Sequence, residues 1–194
     1  MVVPSADALG RGDWNAGVFF EDVASGTVND IVANYGIAQG FEVGINRFQR
    51  DDDSDDHTLI NAKYRFIPET SSRPAFAAGI SDVVDEIETT VYIVASKSFG
   101  CAVRTWEGET LSPRFHVGLG GGALSGLFAG VSAYIGNRIE VIGEWDGDKV
   151  NAGARWRVTR QFTIHAGGFN LTDEEDEFSQ GASFGIGASF ASIY

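Results

Sequence analysis

Apolar and polar side chains alternate along most of this 194-residue chain. The alternation has a period of two and comes in segments of roughly ten residues, separated by Gly-, Asp-, Asn- and Ser-rich stretches. Twelve segments can be delimited, near 13–21, 28–37, 40–48, 57–66, 74–82, 89–99, 113–121, 126–136, 138–146, 149–158, 161–170 and 180–194. None carries a helical stripe, so the pattern predicts an all-β protein. One face is greasy: Trp14, Ala16, Val18 and Phe20; Phe41, Val43 and Ile45; Ile60, Ala62, Tyr64 and Phe66; Leu127, Ala129, Val131, Ala133 and Ile135; Val150, Ala152, Ala154, Trp156 and Val158; Phe162, Ile164 and Ala166. The opposite face mixes charge, amide and glycine: Glu42, Gly44 and Asn46; Asn61, Lys63 and Arg65; Arg114, His116 and Gly118; Glu140 and Glu144; Asn151, Gly153, Arg155 and Arg157; Thr163, His165 and Gly167.

Glycine decides between two architectures. On a solvated strand face glycine weakens the strand without return. Inside a closed barrel it leaves room for long side chains to enter the lumen, while the apolar face looks outward at lipid. The pattern therefore predicts a single closed antiparallel transmembrane β-barrel of about 12 strands. Residues 13–194 form that barrel domain, and residues 1–12 form an N-terminal lead or an inserted plug.

The connections give an independent test. If strands run alternately up and down, the links Glu21–Thr27, Gln49–Asp56, Val83–Thr89, Gly122–Ser125, Gly147–Asp148 and Leu171–Ser179 share one side. With their flanking strand ends they hold 18 of the 27 acids, opposed only by Arg50 and Lys149. The other side has tight turns with Arg73, Arg138 and Arg160, and one longer link, Gly100–Ser112, with Cys101, Arg104 and Trp106. Long loops on one side and tight turns on the other are expected of outer-membrane barrels. Aromatics collect at the tight-turn ends. Trp14, Tyr64, Phe66, Phe115, Tyr134, Trp156, Phe162 and Tyr194 are expected to form an interfacial girdle there, with a thinner loop-side one of Phe20, Phe48, Tyr92 and Trp145. The closing stretch, Ser183-Phe-Gly-Ile-Gly-Ala-Ser-Phe-Ala-Ser-Ile-Tyr194, resembles the terminal assembly strand of bacterial outer-membrane proteins, which end on an aromatic.

Composition narrows the function classes. Hydrophobic residues make up 43% of the chain, too many for disorder, and a net charge of −13 argues against a nucleic-acid partner. No apolar run is long enough for a transmembrane helix. Met1–Ser5 offers neither the basic region nor the apolar stretch of a signal peptide, so a processed chain is expected. The single Cys101 has no internal partner for a disulfide.

Three stretches, Asn61–Val83 (NAKYRFIPETSSRPAFAAGISDV), Val91–Gly100 (VYIVASKSFG) and Ile135–Val158 (IGNRIEVIGEWDGDKVNAGARWRV), together with Pro4–Trp14, resemble the YjbH-type barrels. The resemblance, in these stretches, covers about a third of the chain. It implies an outer-membrane location and a link to exopolysaccharide systems.

Candidate chemistry is sparse. The charges Glu42, Lys63, Arg65, Arg114, Glu140, Glu144, Arg155 and Arg157 are expected to form a lumen network, mutually paired and filling the bore; an open ion or sugar path is the alternative. The acidic runs Asp51, Asp52, Asp53, Asp55, Asp56 and Asp173, Glu174, Glu175, Asp176 read as solvated loops. Divalent cations or lipopolysaccharide would be their ligands, but the spaced Asp-x-Asp-x-Asp-Gly pattern of a calcium loop is missing. His57, His116 and His165 have no serine at triad spacing, and Gly118–Gly126 lacks the Lys-Ser of a phosphate loop and reads as a hairpin loop. The expectation is an outer-membrane barrel without catalysis, cofactor or resident metal. Its partners would be the bilayer, lipopolysaccharide and other envelope proteins, and its role structural or that of a narrow pore. A porin-like channel and a soluble lipocalin-like barrel are the rivals.

Overall fold

The computed structural model describes residues 3–23, 26–50, 56–99, 103–104, 110–124, 126–136, 138–172 and 181–190. The alternating segments are strands: β1 (Trp14–Val23), β2 (Gly26–Ala38), β3 (Phe41–Arg50), β4 (Asp56–Ile67), β5 (Ala75–Ser81), β6 (Thr90–Ser98), β7 (Val103–Arg104), β8 (Thr110–Gly121), β9 (Gly126–Ile135), β10 (Ile139–Trp145), β11 (Val150–Arg157), β12 (Phe162–Phe169) and β13 (Gly181–Phe190). β7 is a two-residue strip paired to β8 alone. The other twelve form one antiparallel sheet with sequence neighbours side by side. It closes where β1 pairs with β13, from Trp14↔Phe190 to Val23↔Gly181, and where β6 pairs with β8 across the inserted strip. Closure leaves no strand edge, which is what allows a sheet to stand in hydrocarbon.

The two faces sort as alternation requires. Val18, Ile31, Ile45, Ile60, Leu119, Val141 and Ile186 point outward and are 39–58% exposed. Ser96, His116, Ser132, Glu140, Glu144 and Asn151 point inward and are at most 8% exposed. This is the reverse of a soluble ligand-binding barrel, whose apolar face would line the interior. Ring pairs mark the tight-turn rim on the outer surface: Trp14 stacks on Phe190 at 4.4 Å, Phe66 lies 6.4 Å from Phe76, and Phe41–Tyr64 and Phe99–Phe115 meet edge to face. Trp156 and Phe162 are half-exposed on the same rim.

Three aromatics depart from the expected girdles. Phe48 shares its parity on β3 with the lumen-lining Glu42, Gly44 and Asn46, so it faces inward, against His57. Tyr134 shares its parity on β9 with buried Phe128 and Ser132, so it faces the lumen and meets Arg157. Tyr92 lies between outward Val91 and Ile93 and faces inward as well. Tyr194, Cys101 and Trp106 fall outside the described residues. The hairpin expected over Gly118–Gly126 is mostly strand, with residues 122–124 turning between β8 and β9.

The inward glycines serve rings as well as charges. A methyl group on Gly79 would sit 2.3 Å from the Tyr92 ring, one on Gly118 2.3 Å from Phe128, and one on Gly185 2.2 Å from Phe19. Each of these rings lies flat against the wall because its neighbour strand offers no side chain there.

The chain enters the barrel at the tight-turn rim. A turn over Gly10–Asp13 clips onto the end of β2: the Gly12 N–H donates to Gly36 O (2.8 Å) and the Gly36 N–H to Asp13 O (2.9 Å). Gly12 has φ 83°, and Gly36 lets Gly10 O approach so closely that a Cβ would be 1.9 Å from it. Only glycine fits either position. Residues 3–9 then run inside the barrel, where Val3 and Ala6 join Ala75, Ala77, Val94, Leu124 and Phe128 in a small dry core against β5, β6, β8 and β9.

Two substitutions test this disposition. Val131→Arg, on the outer face, should cost about 2–4 kcal/mol if it lies at mid-membrane. Gly118→Ala should cost about 1–3 kcal/mol by overpacking Phe128. Urea titration of barrels refolded in lipid vesicles reads both, and a Val131→Arg barrel as stable as the parent would contradict the outward assignment.

Candidate functional site: the barrel lumen

Inward positions differ sharply between the two halves of the barrel. Around β5, β6, β8 and β9 the small or apolar Ala75, Ala77, Val94 and Phe128 pack with residues 3–6 in the dry core, while Ser96, His116 and Ser132 place buried polar groups beside them. Around β1–β4 and β10–β13 they are polar and enclose a cavity of about 620 Å³. Asn15, Asn34, Asn46 and Asn61 line one wall of it as a run of amides. Asn34 Nδ2 donates to Asn15 Oδ1 (2.8 Å), and Asn61 Nδ2 donates to Asn46 Oδ1 (3.2 Å). Gly44 makes space for this run, since a Cβ there would lie 2.2 Å from Asn34 Oδ1.

The eight predicted lumen charges do not form one network. Glu42 and Lys63 face each other in register on β3 and β4 and pair at 2.9 Å. Glu140 and Arg155 are likewise register partners on β10 and β11, at 3.3 Å. Arg157 lies 5.5 Å from the Tyr134 ring centroid and donates to its hydroxyl (3.4 Å). Arg65 is at the tight-turn end of β4, where its backbone N–H donates to Gly40 O (2.7 Å). Glu144 Oε2 accepts from the Val3 N–H at 3.3 Å. Arg114 reaches away from the strand charges altogether: its Nε and Nη2 donate to both carboxylate oxygens of Asp7 (3.0 and 2.7 Å), and Nη1 donates to Glu69 in the turn before β5. Lys97 donates to the same Glu69 at 3.2 Å.

Glu69 lies outside the strands, and its charge is held firmly. Burial pushes its carboxyl up, but hydrogen bonds from Arg114, the Ser98 backbone N–H and Lys97 outweigh that and pull it down to about 2.

Two sequence-predicted features take structural roles. Among the loop acids, Asp82 is 2% exposed with φ 55°, and its carboxylate accepts the N–H groups of Glu86, Ile87 and Glu88 at 2.7–3.0 Å. These bonds hold its pKa below the usual range although burial pushes the other way. Asp146 caps its own hairpin through the N–H groups of Asp148 and Lys149. Asp56 pairs with Arg47. Asp51, Asp52, Asp53, Asp55, Asp173, Glu174, Glu175 and Asp176 lie outside the described residues. Among the described residues no cluster of three His, Cys, Asp or Glu side chains has the geometry of a metal site.

Sequence spacing missed one pair. Ser96 and His116 are register partners on β6 and β8, and Ser96 Oγ lies 2.8 Å from His116 Nδ1. Both are buried, and Ser96 Oγ also accepts the Ala6 N–H (2.8 Å), so the hydroxyl is covered by the chain itself. A search along one strand cannot find a pair made across two. The inward rings Phe19, Tyr92 and Phe128 were also missed, although strand parity carries the signal for them. Phe19 meets His165 edge to face at 5.3 Å, and His165 lies 2.9 Å from Thr163 Oγ1.

No protein-family model matches the sequence, and no curated protein sequence does. Solved structures do. The KdgM porin superposes with a TM-score of 0.64 at 11% identity, covering 91% of this chain and 99% of that one. The NanC porin gives 0.56 at 10% identity, over 92% of this chain and 100% of that one. A second KdgM structure, in complex with disordered oligogalacturonate, gives 0.59 at 10% identity. The fold is thus that of the twelve-stranded porins.

The Glu69 anchor gives a pH prediction. A carboxyl depressed from 4.5 to about 2 contributes stability that is complete above 4.5 and is lost as pH falls toward 2. Urea midpoints in detergent should therefore drop across that window, and Glu69→Gln should remove part of the drop while lowering the midpoint at pH 7. An unchanged pH profile in Glu69→Gln would contradict the anchor.

Proposed function

We propose that this chain is a porin-like channel of a bacterial outer membrane, passing small hydrophilic solutes through the polar half of its lumen. The observation that carries the reading is the cavity of about 620 Å³, with amides and charged side chains along its wall, inside a closed barrel with an apolar exterior. The ion pairs support it. Glu42–Lys63 and Glu140–Arg155 each join neighbouring strands, so the charges are neutralised along the wall and do not reach across the bore. That arrangement favours a passage over the mutually paired, filled barrel expected from composition. The likeness to the KdgM and NanC porins points the same way.

The lining suits sugar-like solutes. Amides offer paired donors and acceptors to hydroxyl groups. The rings of Phe19, Tyr92 and Tyr134 offer apolar faces beside them. One KdgM porin was solved with an oligogalacturonate, and the stretches resembling exopolysaccharide-associated YjbH-type barrels are consistent with a place in a carbohydrate-handling envelope system. Arg138 and Arg157 line the cavity at its tight-turn end and give that mouth a positive character. No catalytic step belongs to this reading.

Planar-bilayer recording tests it. The purified barrel should produce discrete conductance steps in potassium chloride, and liposomes containing it should swell in small oligosaccharides. Arg138→Ala combined with Arg157→Ala should shift the reversal potential in a salt gradient toward cation preference. A folded, heat-modifiable barrel that never conducts and admits no sugar would overturn the proposal.

A further inference from the structure

Residues 3–9 occupy the lumen, and the way they are held tells what they can do. They cross the bore from the clip on β2 to Arg114 on β8, then climb along the wall of β6, β9 and β10. Val3, Pro4 and Ser5 form one side of the open cavity. The segment therefore takes up cross-section that would otherwise belong to the passage.

Three of its polar contacts share a property. Leu9 N–H donates to Glu42 Oε2 at 2.7 Å, and Glu42 also holds Lys63. Ala6 N–H donates to Ser96 Oγ, which also contacts His116. Asp7 pairs with Arg114, which also pairs with Glu69 and donates to Ser98 Oγ (2.7 Å). At each of these three points the barrel group has a second partner within the barrel wall. Withdrawing the segment would leave none of the three as a bare buried charge or hydroxyl, which is the usual reason a buried polar contact cannot open. Asp7 itself is the exposed member of its pair, with 56% of its side chain accessible, against 18% for Arg114. What remains to hold the segment is the Val3 N–H bond to buried Glu144 Oε2 (3.3 Å) and the apolar contact of Val3 and Ala6 with Val94, Ala77, Leu124 and Phe128.

We propose that residues 3–9 are a displaceable plug, latched by Asp7 on Arg114 and seated on the dry core, which narrows the passage when docked and widens it when released. The inference rests on the channel reading above. The clip at Gly10–Asp13 stays with the barrel and keeps the released segment tethered at the tight-turn mouth, the side from which it entered.

The test uses the full barrel, a variant lacking residues 3–9, and Asp7→Asn, each checked for folding by heat-modifiability. In planar bilayers, deletion should raise the mean conductance at least about twofold, and Asp7→Asn should produce intermediate, flickering levels between the two. A second readout does not depend on conduction. Val94→Cys, placed in each background with Cys101→Ser, should react slowly with a water-soluble thiosulfonate in the full barrel and much faster when Asp7 is Asn or the segment is absent. Equal conductance and equal labelling across the three forms would overturn the plug and leave the channel standing. Silence of all three in the bilayer, with labelling still accelerated by Asp7→Asn, would overturn the channel and, with it, the plug's control of passage. Conductance and labelling rising together would support both.

Discussion

Backbone hydrogen bonding is the constraint on which everything else depends. In hydrocarbon an unpaired N–H or C=O costs several kcal/mol, so a sheet can stand there only if it has no edge. Here that condition is met at two seams, β1 with β13 and β6 with β8. Once the ladder is closed, each strand must alternate its side chains between lipid and lumen, and a shift of one residue would exchange the two faces. The apolar exterior and the polar interior are therefore one consequence of closure. So is the position of two of the ion pairs. Glu42 meets Lys63, and Glu140 meets Arg155, because antiparallel register puts them opposite one another.

Closure by twelve strands encloses more volume than side chains of one wall readily fill. The two halves of this barrel answer that differently. On β5, β6, β8 and β9 the chain uses Ala75, Ala77, Gly79 and Gly118, and spends the space on the rings of Tyr92 and Phe128 and on residues 3–6. On β1–β4 it uses asparagines that bond to their neighbours along the wall and leave the centre open. The same small residues that weaken a strand in water are tolerated here because the closed ladder holds the strand in place whatever its side chains are.

The fold was legible in the sequence because alternation is a local signal repeated many times. Trp14-Asn-Ala-Gly-Val-Phe-Phe and Val150-Asn-Ala-Gly-Ala-Arg-Trp state the same rule independently, and glycine on the polar face supplies its direction. The site was less legible, for a physical reason. A lumen contact joins residues on strands whose register is fixed only by closure and by turns, so Ser96–His116 and Asp7–Arg114 lie 20 and 107 residues apart. The placement of Tyr134 shows a different limit. An aromatic near a strand end fits an interfacial girdle by composition, but parity with Phe128 and Ser132 turns it inward, and parity is the stronger constraint. The lumen charges were identified as inward-facing by parity, while their partners, Glu69 in a turn and Asp7 in the lead, were not, because neither belongs to a strand.

The net charge of −13 also reads differently once the fold is known. At physiological salt, charges separated by more than about 8 Å are largely screened from one another. In the proposed channel a solute therefore meets the protein's charges in sequence along the axis and never as a sum. At the loop mouth it meets exposed carboxylates such as Asp85 and Glu86, in a turn that buried Asp82 holds through the N–H groups of Glu86, Ile87 and Glu88. In the polar half of the bore it meets neutral amides, locally cancelled ion pairs and the carboxylates of Glu21 and Asp30. At the tight-turn mouth it meets Arg138 and Arg157. Rigid capping matters for the first of these, because a turn held by three N–H donors on Asp82 keeps its exposed acids in place. In the proposed channel the interior selects by shape, by hydrogen bonding, by the carboxylates of Glu21 and Asp30 and by whatever occupies the half of the lumen where residues 3–9 now lie.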